Sequence, residues 1–417
     1  MIEARVKIQS PKSQNWQVLK LGQICKTTSG GTPSRRNPEF YQGSIPWVKS
    51  GELEKGIIYD TEEKITKDAI KDSSAKVFPK GTLLIALYGA TIGKMAFLGV
   101  DAATNQAVCG IFKNDNADLK YLYYFLLFKR PKLVQQGIGG AQPNISQTIL
   151  KDLDVPLPPL PIQQAIVARL EALFSELDKG IEQLKTARQQ LRTYRQAVLK
   201  AAFEGRLTGE QVKEGELPEG WKWATIDQVS DIGTGATPLR SNPAFYNGTV
   251  NWVTSGELNE QYVRTATELI TEKALKETNC RVYPKGTLLV AMYGEGKTRG
   301  KCSELAIEAA TNQAIAAIHF TNHDESIKPY LKYFLLKNYD DIRRKSSGGV
   351  QPNLNLGIIK KLQFPLAPKS EQAKIVSEIE SRLSVADKLE ETIAQGLQQA
   401  EALRQSILKT AFEGELA

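Results

Sequence analysis

Histidine and cysteine are scarce in this chain. Its 417 residues include two histidines, His319 and His323, and four cysteines, Cys25, Cys109, Cys280 and Cys302. The cysteines stand far apart with no paired-ligand spacing, so a Cys/His zinc site is not expected. Nucleophile–histidine catalysis has little material to draw on. Long apolar runs are missing too. The longest, "YLYYFLLF" at 121–128, falls well short of the roughly 18 residues a membrane span requires. The opening "MIEARVKIQS" has no apolar signal core, so the cytoplasm is the expected location, with no membrane partner.

What is present is ordinary in bulk: 41% hydrophobic and 24% charged residues, enough to build sizeable cores. The length predicts two to three domains. The formal net charge of +8 favours a polyanionic partner without proving one.

The chain says most things twice. "GGTPSRRNPEFYQGSIPWVKSGEL" (30–53) returns as "GATPLRSNPAFYNGTVNWVTSGEL" (235–258), an offset of 205. "FPKGTLL" returns as "YPKGTLL" at 205, "ATNQA" at 207, and "GGAQPNIS" as "GGVQPNLN" at 209. "RQAVLKAAFEG" answers "RQSILKTAFEG" at 209. So slow a drift means that a domain-sized half was duplicated with small loop insertions, which predicts an internal pseudo-two-fold repeat. None of the cysteines or histidines has a counterpart in the other copy, so chemistry needed in both halves cannot rest on them.

Each half has two parts. The first mixes short, turn-bounded strands such as "GTLLIALYG" with helical segments. The second follows a proline-rich stop, "DVPLPPLPIQQ" or "PLAPKSEQ". There Ile166, Leu170, Leu173, Leu177, Leu184, Leu191 and Val198 recur at coiled-coil spacing. Ile379, Leu383, Ala386, Ile393, Ala400, Leu403 and Ile407 do the same, and Gly205 and Gly414 are placed to cap. The expected fold is α+β: two mixed α/β domains and two long helices paired antiparallel as a coiled coil. The expected boundaries are 1–154 and 209–363 for the domains, and 155–208 and 364–417 for the helices.

Catalytic motifs fail on inspection. "NPEF" and "NPAF" resemble the Asn-Pro-Pro-aromatic tetrapeptide of adenine methyltransferases, but Glu39 and Ala244 replace the second proline. No glycine loop follows a strand to hold S-adenosylmethionine. Asn37 and Asn242 therefore read as turn formers, and Phe40 and Phe245 as core anchors. "GEGKTRGK" contains Gly-Lys-Thr at the wrong spacing for a phosphate loop. Neither catalytic nor metal-binding residues are expected.

Polar and basic loops recur at matched places and are the DNA-contact candidates. In the first half they are Thr32, Arg35, Arg36, Lys49, Ser50, Tyr88, Thr91, Lys94, Gln142 and Asn144. In the second they are Thr237, Arg240, Ser241, Thr254, Ser255, Tyr293, Lys297, Thr298, Arg299, Lys301, Gln351 and Asn353. A scaffold role is the alternative for each; Gln142 and Asn144, for instance, can shape a turn. The segments that differ most between copies, 54–76 against 259–281 and 90–101 against 295–308, suit base readout best.

The ordered set of Trp-Val-Lys/Thr-Ser-Gly-Glu-Leu, Pro-Lys-Gly-Thr-Leu-Leu, Ala-Thr-Asn-Gln-Ala, Gly-Gly-x-Gln-Pro-Asn and the proline-rich helix entrance resembles the specificity subunit of type I restriction–modification enzymes. The resemblance spans nearly the whole chain, twice. It implies two target-recognition domains, each reading half of a split site in double-stranded DNA. It implies two helices that act as spacer and dock two modification (methyltransferase) subunits, with restriction (motor–nuclease) subunits joining them. No cofactor is expected in this chain; S-adenosylmethionine, ATP and Mg2+ belong to the partner subunits. At the helix entrance the chain departs from the family's "PPLxEQ" pattern at Ile162, Gln163 and Lys369. A self-contained adenine methyltransferase and a coiled-coil scaffold without a DNA role are the competing classes.

Overall fold

The computed structural model describes residues 16–137, 144–207, 216–293, 298–339 and 354–416. The chain divides into two compact units, Met1–Leu184 with Ala394–Ala417, and Lys185–Ile393. The sequence boundaries treat each long helix as one piece. The division between units falls within both helices, so each unit holds one domain and part of each helix.

In the first unit, a five-stranded sheet runs in the order Thr27–Ser29, Val108–Ile111, Leu83–Ala86, Met95–Leu98, Ile57–Ile58. A four-stranded sheet runs Glu63–Ile65, Ile45–Val48, Ala102–Thr104, Val77–Phe78, and Gln17–Lys20 pairs with Asp154–Leu157. The second unit repeats all three sheets. Its five-stranded sheet is Asp231–Thr234, Ile315–His319, Leu288–Ala291, Cys302–Leu305, Tyr262–Val263, and its four-stranded sheet is Glu268–Ile270, Tyr246–Val253, Ala309–Thr311, Val282–Tyr283. Ile45–Val48 pairs parallel with Ala102–Thr104, as Tyr246–Val253 does with Ala309–Thr311. The duplication read in the sequence is thus a duplication of topology.

The central strand of each five-stranded sheet is buried on both faces, which is why "TLLIA" and "TLLVA" are unbroken apolar runs. Alternation sends Leu83 and Ile85 into the core shared with the helices, and Leu84 and Ala86 into the core shared with Val48, Phe78 and Ala102 of the four-stranded sheet. Leu288 and Val290, and Leu289 and Ala291, divide in the same way.

The long helices span Leu160–Phe203 and Lys369–Phe412, 44 residues or about 66 Å each. A buried glutamine bolts each entrance. Gln163 donates to the Pro158 carbonyl at 2.7 Å and accepts from the Asp118 N–H at 2.9 Å. Gln372 donates to the Ala367 carbonyl at 2.7 Å. Both helices end as expected, with Gly205 and Gly414 at φ +73 and +80. The next residue's N–H reaches back to Ala201 and Thr410, respectively, as in a Schellman cap.

The helices run antiparallel in each unit. In the first, Asp178 accepts from Arg404 and Gly396 lies against Leu184. In the second, Arg195 bridges Asp387 at 2.6 Å and Glu390 at 2.9 Å. Ile166, Leu170, Leu191, Val198, Ile379, Ala386, Ile393 and Ala400 are buried. Leu173, Leu177, Leu184, Leu383 and Ile407 are half-buried. Leu403 differs from the sequence reading: it is 51% exposed, like Tyr194, its counterpart at 42%. The reason lies in the last turns, where the second long helix packs against the first domain. There Leu408, Ala411 and Phe412 go inward, and the Phe412 ring meets Tyr121, Phe125 and Phe128 at 5.2–5.8 Å.

Candidate nucleic-acid interface

The repeated phrase that opens each half folds into an aromatic clamp. Trp47 is buried, and its indole N–H donates to the Gly31 carbonyl at 3.1 Å; Trp252 does the same to Ala236 at 3.1 Å. Tyr41 and Tyr246 donate to the carbonyls of Pro33 and Pro238, both at 2.6 Å. The Arg35 guanidinium lies 4.1 Å from the Tyr41 ring centre and 5.1 Å from that of Trp47; Arg240 sits 4.9 and 5.0 Å from Tyr246 and Trp252. Glu63 and Glu268 each close the stack with a forked ion pair. Hydrogen bonding from Arg35 holds the Glu63 carboxyl below its ordinary value, and Arg240 does the same to Glu268. The loop approaches the sheet too closely for any side chain: a Cβ on Gly30 would lie 2.1 Å from the Thr104 carbonyl oxygen.

The Glu of "SGEL" is a second fastener. Glu52, buried, accepts the N–H groups of Lys49 and Glu62 at 2.9 and 3.1 Å. Glu257 accepts those of Thr254 and Thr267, both at 2.6 Å. Asn37 and Asn242 cap the next residue but one, at 3.2 and 3.1 Å, which is the turn role read for them. Phe245 is buried, while Phe40 is half-buried against its small core.

Several candidate contacts are therefore engaged within the fold. Arg35 and Lys49 converge on Glu63, and Lys49 also reaches Glu62 at 2.7 Å. Thr32 and Thr237 bond Gln106 and Gln313. Arg36 and Ser241 are exposed, while Ser50 and Ser255 are half-buried at the start of short 3-10 turns. Tyr88 and Asn144 face each other across an isolated bridge, and the Thr91 hydroxyl caps the Tyr88 carbonyl at 3.0 Å, so these two loops meet. Lys94 pairs with Glu54; its counterpart Lys301 bonds the neutral Asn259 at 2.8 Å. Tyr293, Thr298 and Arg299 are half-buried. Gln142, Lys297, Gln351 and Asn353 lie outside the described residues. The sequence reading missed the fasteners Glu52, Glu63, Gln106 and Gln163 and their counterparts. Their signal was present, since each sits at a matched place in both copies.

The comparisons with known proteins decide the family. The description "Type I restriction modification DNA specificity domain" matches residues 13–186 and again 218–399. The chain belongs to the type I specificity family. It is similar to the type I restriction enzyme MjaIX specificity subunit of Methanocaldococcus jannaschii, 26% identical, covering 78% of this chain and 76% of that protein. The MjaVIII specificity subunit of the same organism is 24% identical over 97% of this chain and 93% of its own length. The fold matches a solved chain from work on complex assembly in the type I system, with a TM-score of 0.75, 21% identity and coverage of 96% and 98%. It also matches the HsdS subunit of Thermoanaerobacter tengcongensis, with a TM-score of 0.56, 20% identity and coverage of 97% and 98%. In this chain, the twofold match of the domain description coincides with the twofold topology. No helix among the described residues is long and apolar enough to cross a membrane.

Proposed function

We propose that this chain is the DNA-reading subunit of a type I restriction–modification complex, with one half of a split site read by each domain. The observation that carries the reading is one frame built twice and furnished differently. The aromatic clamp and the glutamate fasteners are common to both copies, while the loops they hold differ in charge, as Glu54–Lys94 differs from Asn259–Lys301. Positively charged loop residues bind phosphates and set register, and residues that differ between copies read base edges. The clamps keep the loops pre-organised, so less ordering entropy is lost on binding.

Catalysis in this reading belongs to partners. Two modification subunits dock on the long helices and carry S-adenosylmethionine, and restriction subunits use ATP and Mg2+; assembly takes place in the cytoplasm. The test is fluorescence anisotropy of a labelled duplex library with the chain, alone and with its modification subunits. Log K should fall linearly with log salt, and DNA methylation should require the modification subunits. Salt-independent binding, or methylation by this chain alone, would overturn the proposal.

A further inference from the structure

The two units differ where the domain meets the helix pair. In the first unit, the Phe174 ring fills this junction. Arg404 lies 4.7 Å from its centre and the Tyr124 ring 5.7 Å away. At the matched place, offset 209, the second unit has Leu383, flanked by Arg195 and Tyr333, the counterparts of Arg404 and Tyr124. Here Leu383, Leu199 and Leu336 line a cavity of about 630 Å³, a size that suits a small organic ligand.

The geometry points to a binding site for a small aromatic amine. The first unit shows what fits: an aromatic ring beside a guanidinium and a tyrosine. The lining charge sets the other end. Arg195 is occupied by Asp387 and Glu390, and Lys301 bonds the neutral Asn259 and keeps its charge, so two cations face three carboxylates and the lining is left one charge negative. Three carboxylates, Glu260, Glu380 and Asp387, line the same space and are exposed. Glu380 also receives the Tyr333 hydroxyl at 3.4 Å, so it stands where ring and rim meet. A ring against Leu383 and Tyr333 with an ammonium on Glu380 satisfies both. Such a ligand would bind both the second domain and its half of the helix pair, and so fix one to the other. The inference does not depend on the DNA-reading role.

The probe is tryptamine, with indole-3-acetate as its anionic control, titrated onto the full chain by ligand-observed NMR and by thermal shift. Tryptamine should bind saturably with Kd on the order of 0.1–1 mM and raise the melting temperature. Indole-3-acetate should bind at least about tenfold more weakly. Leu383→Phe, which copies the first unit, should weaken tryptamine at least about tenfold without lowering the melting temperature of the free chain. Should that variant misfold, Glu380→Gln gives the independent reading: it should narrow the preference for amine over acid. Absence of saturable binding, equal affinity for the two probes, or unchanged binding to a folded Leu383→Phe would each overturn the proposal.

Discussion

In the second unit, Lys332 is a lysine with almost no contact with water. Its side chain is 6% exposed, and its ammonium meets Glu304 at 2.9 Å, itself 16% exposed. The Tyr262 ring lies 4.0 Å away. In the first unit the matched residues are Tyr123 and Phe97, whose rings pack 5.6 Å apart. One copy thus holds its helix on its sheet by an ion pair, and the other by an aromatic pair. Glu304→Phe alone leaves a buried ammonium uncompensated. Breaking a buried pair costs about 3–5 kcal/mol, and the Tyr262 face returns about 1 kcal/mol. The net expectation is a loss of about 2–4 kcal/mol. Lys332→Tyr should cost less, because Glu304 keeps Lys328 at 3.5 Å. The double variant transplants the first unit's pair. It should return to within about 1 kcal/mol of the parent, since a packed apolar pair often equals a buried ion pair. Urea denaturation of the four proteins closes the cycle, and hydrogen exchange at Leu288–Ala291 localises the change to the second unit. Additive single effects would refute the reasoning, because they would mean that the two positions are not coupled.

Three further outcomes are expected. The Lys369 hydrogen bond, with two from Ser326, holds the Asp324 carboxyl down to about 2. A depressed carboxylate stabilises above its unfolded value and loses that contribution as pH falls toward its folded one, so Lys369→Ala should raise the Asp324 titration seen by carbon-detected NMR and remove part of the stability lost between about pH 4 and 2. Burial pushes the Cys25 and Cys109 thiols up to about 11, so Ellman's reagent at pH 8 should label these two only as the chain unfolds; their prompt labelling in the native chain would contradict this. Phe412→Ala removes a ring packed on three aromatic neighbours and should cost about 3–5 kcal/mol in urea denaturation of the first unit, whereas Leu403→Ala on the exposed flank should cost under about 0.5 kcal/mol.

Duplication made much of this fold legible. Two copies of "TLLIA" and "PKGTLL" mark the same central strand, and the heptad spacing of Ile166, Leu170 and Leu191 marks the helix seam. The spacing misled at Leu403 because the last turns face a domain, where inward positions follow that domain's surface and not a partner helix. The interface was less legible. Arg35 reads as a DNA-contact candidate, and only the fold adds that Glu63, 28 residues on, holds it across its aromatic platform. A sequence shows residue types but not which carboxylate folds back onto which cation. Gln163 and Gln372 illustrate the same limit, since they look like polar helix starts yet are buried bolts.

The central claim is that each domain reads its own half-site. The direct measurement exchanges residues 1–154 for the matching domain of a relative whose complex methylates a different sequence. The exchanged chain is assembled with its modification subunits, and methylated adenines are mapped across a genome. The account predicts that one half of the split site changes while the other half and the spacer between them stay fixed. A change in both halves together, or in the spacer, would contradict it.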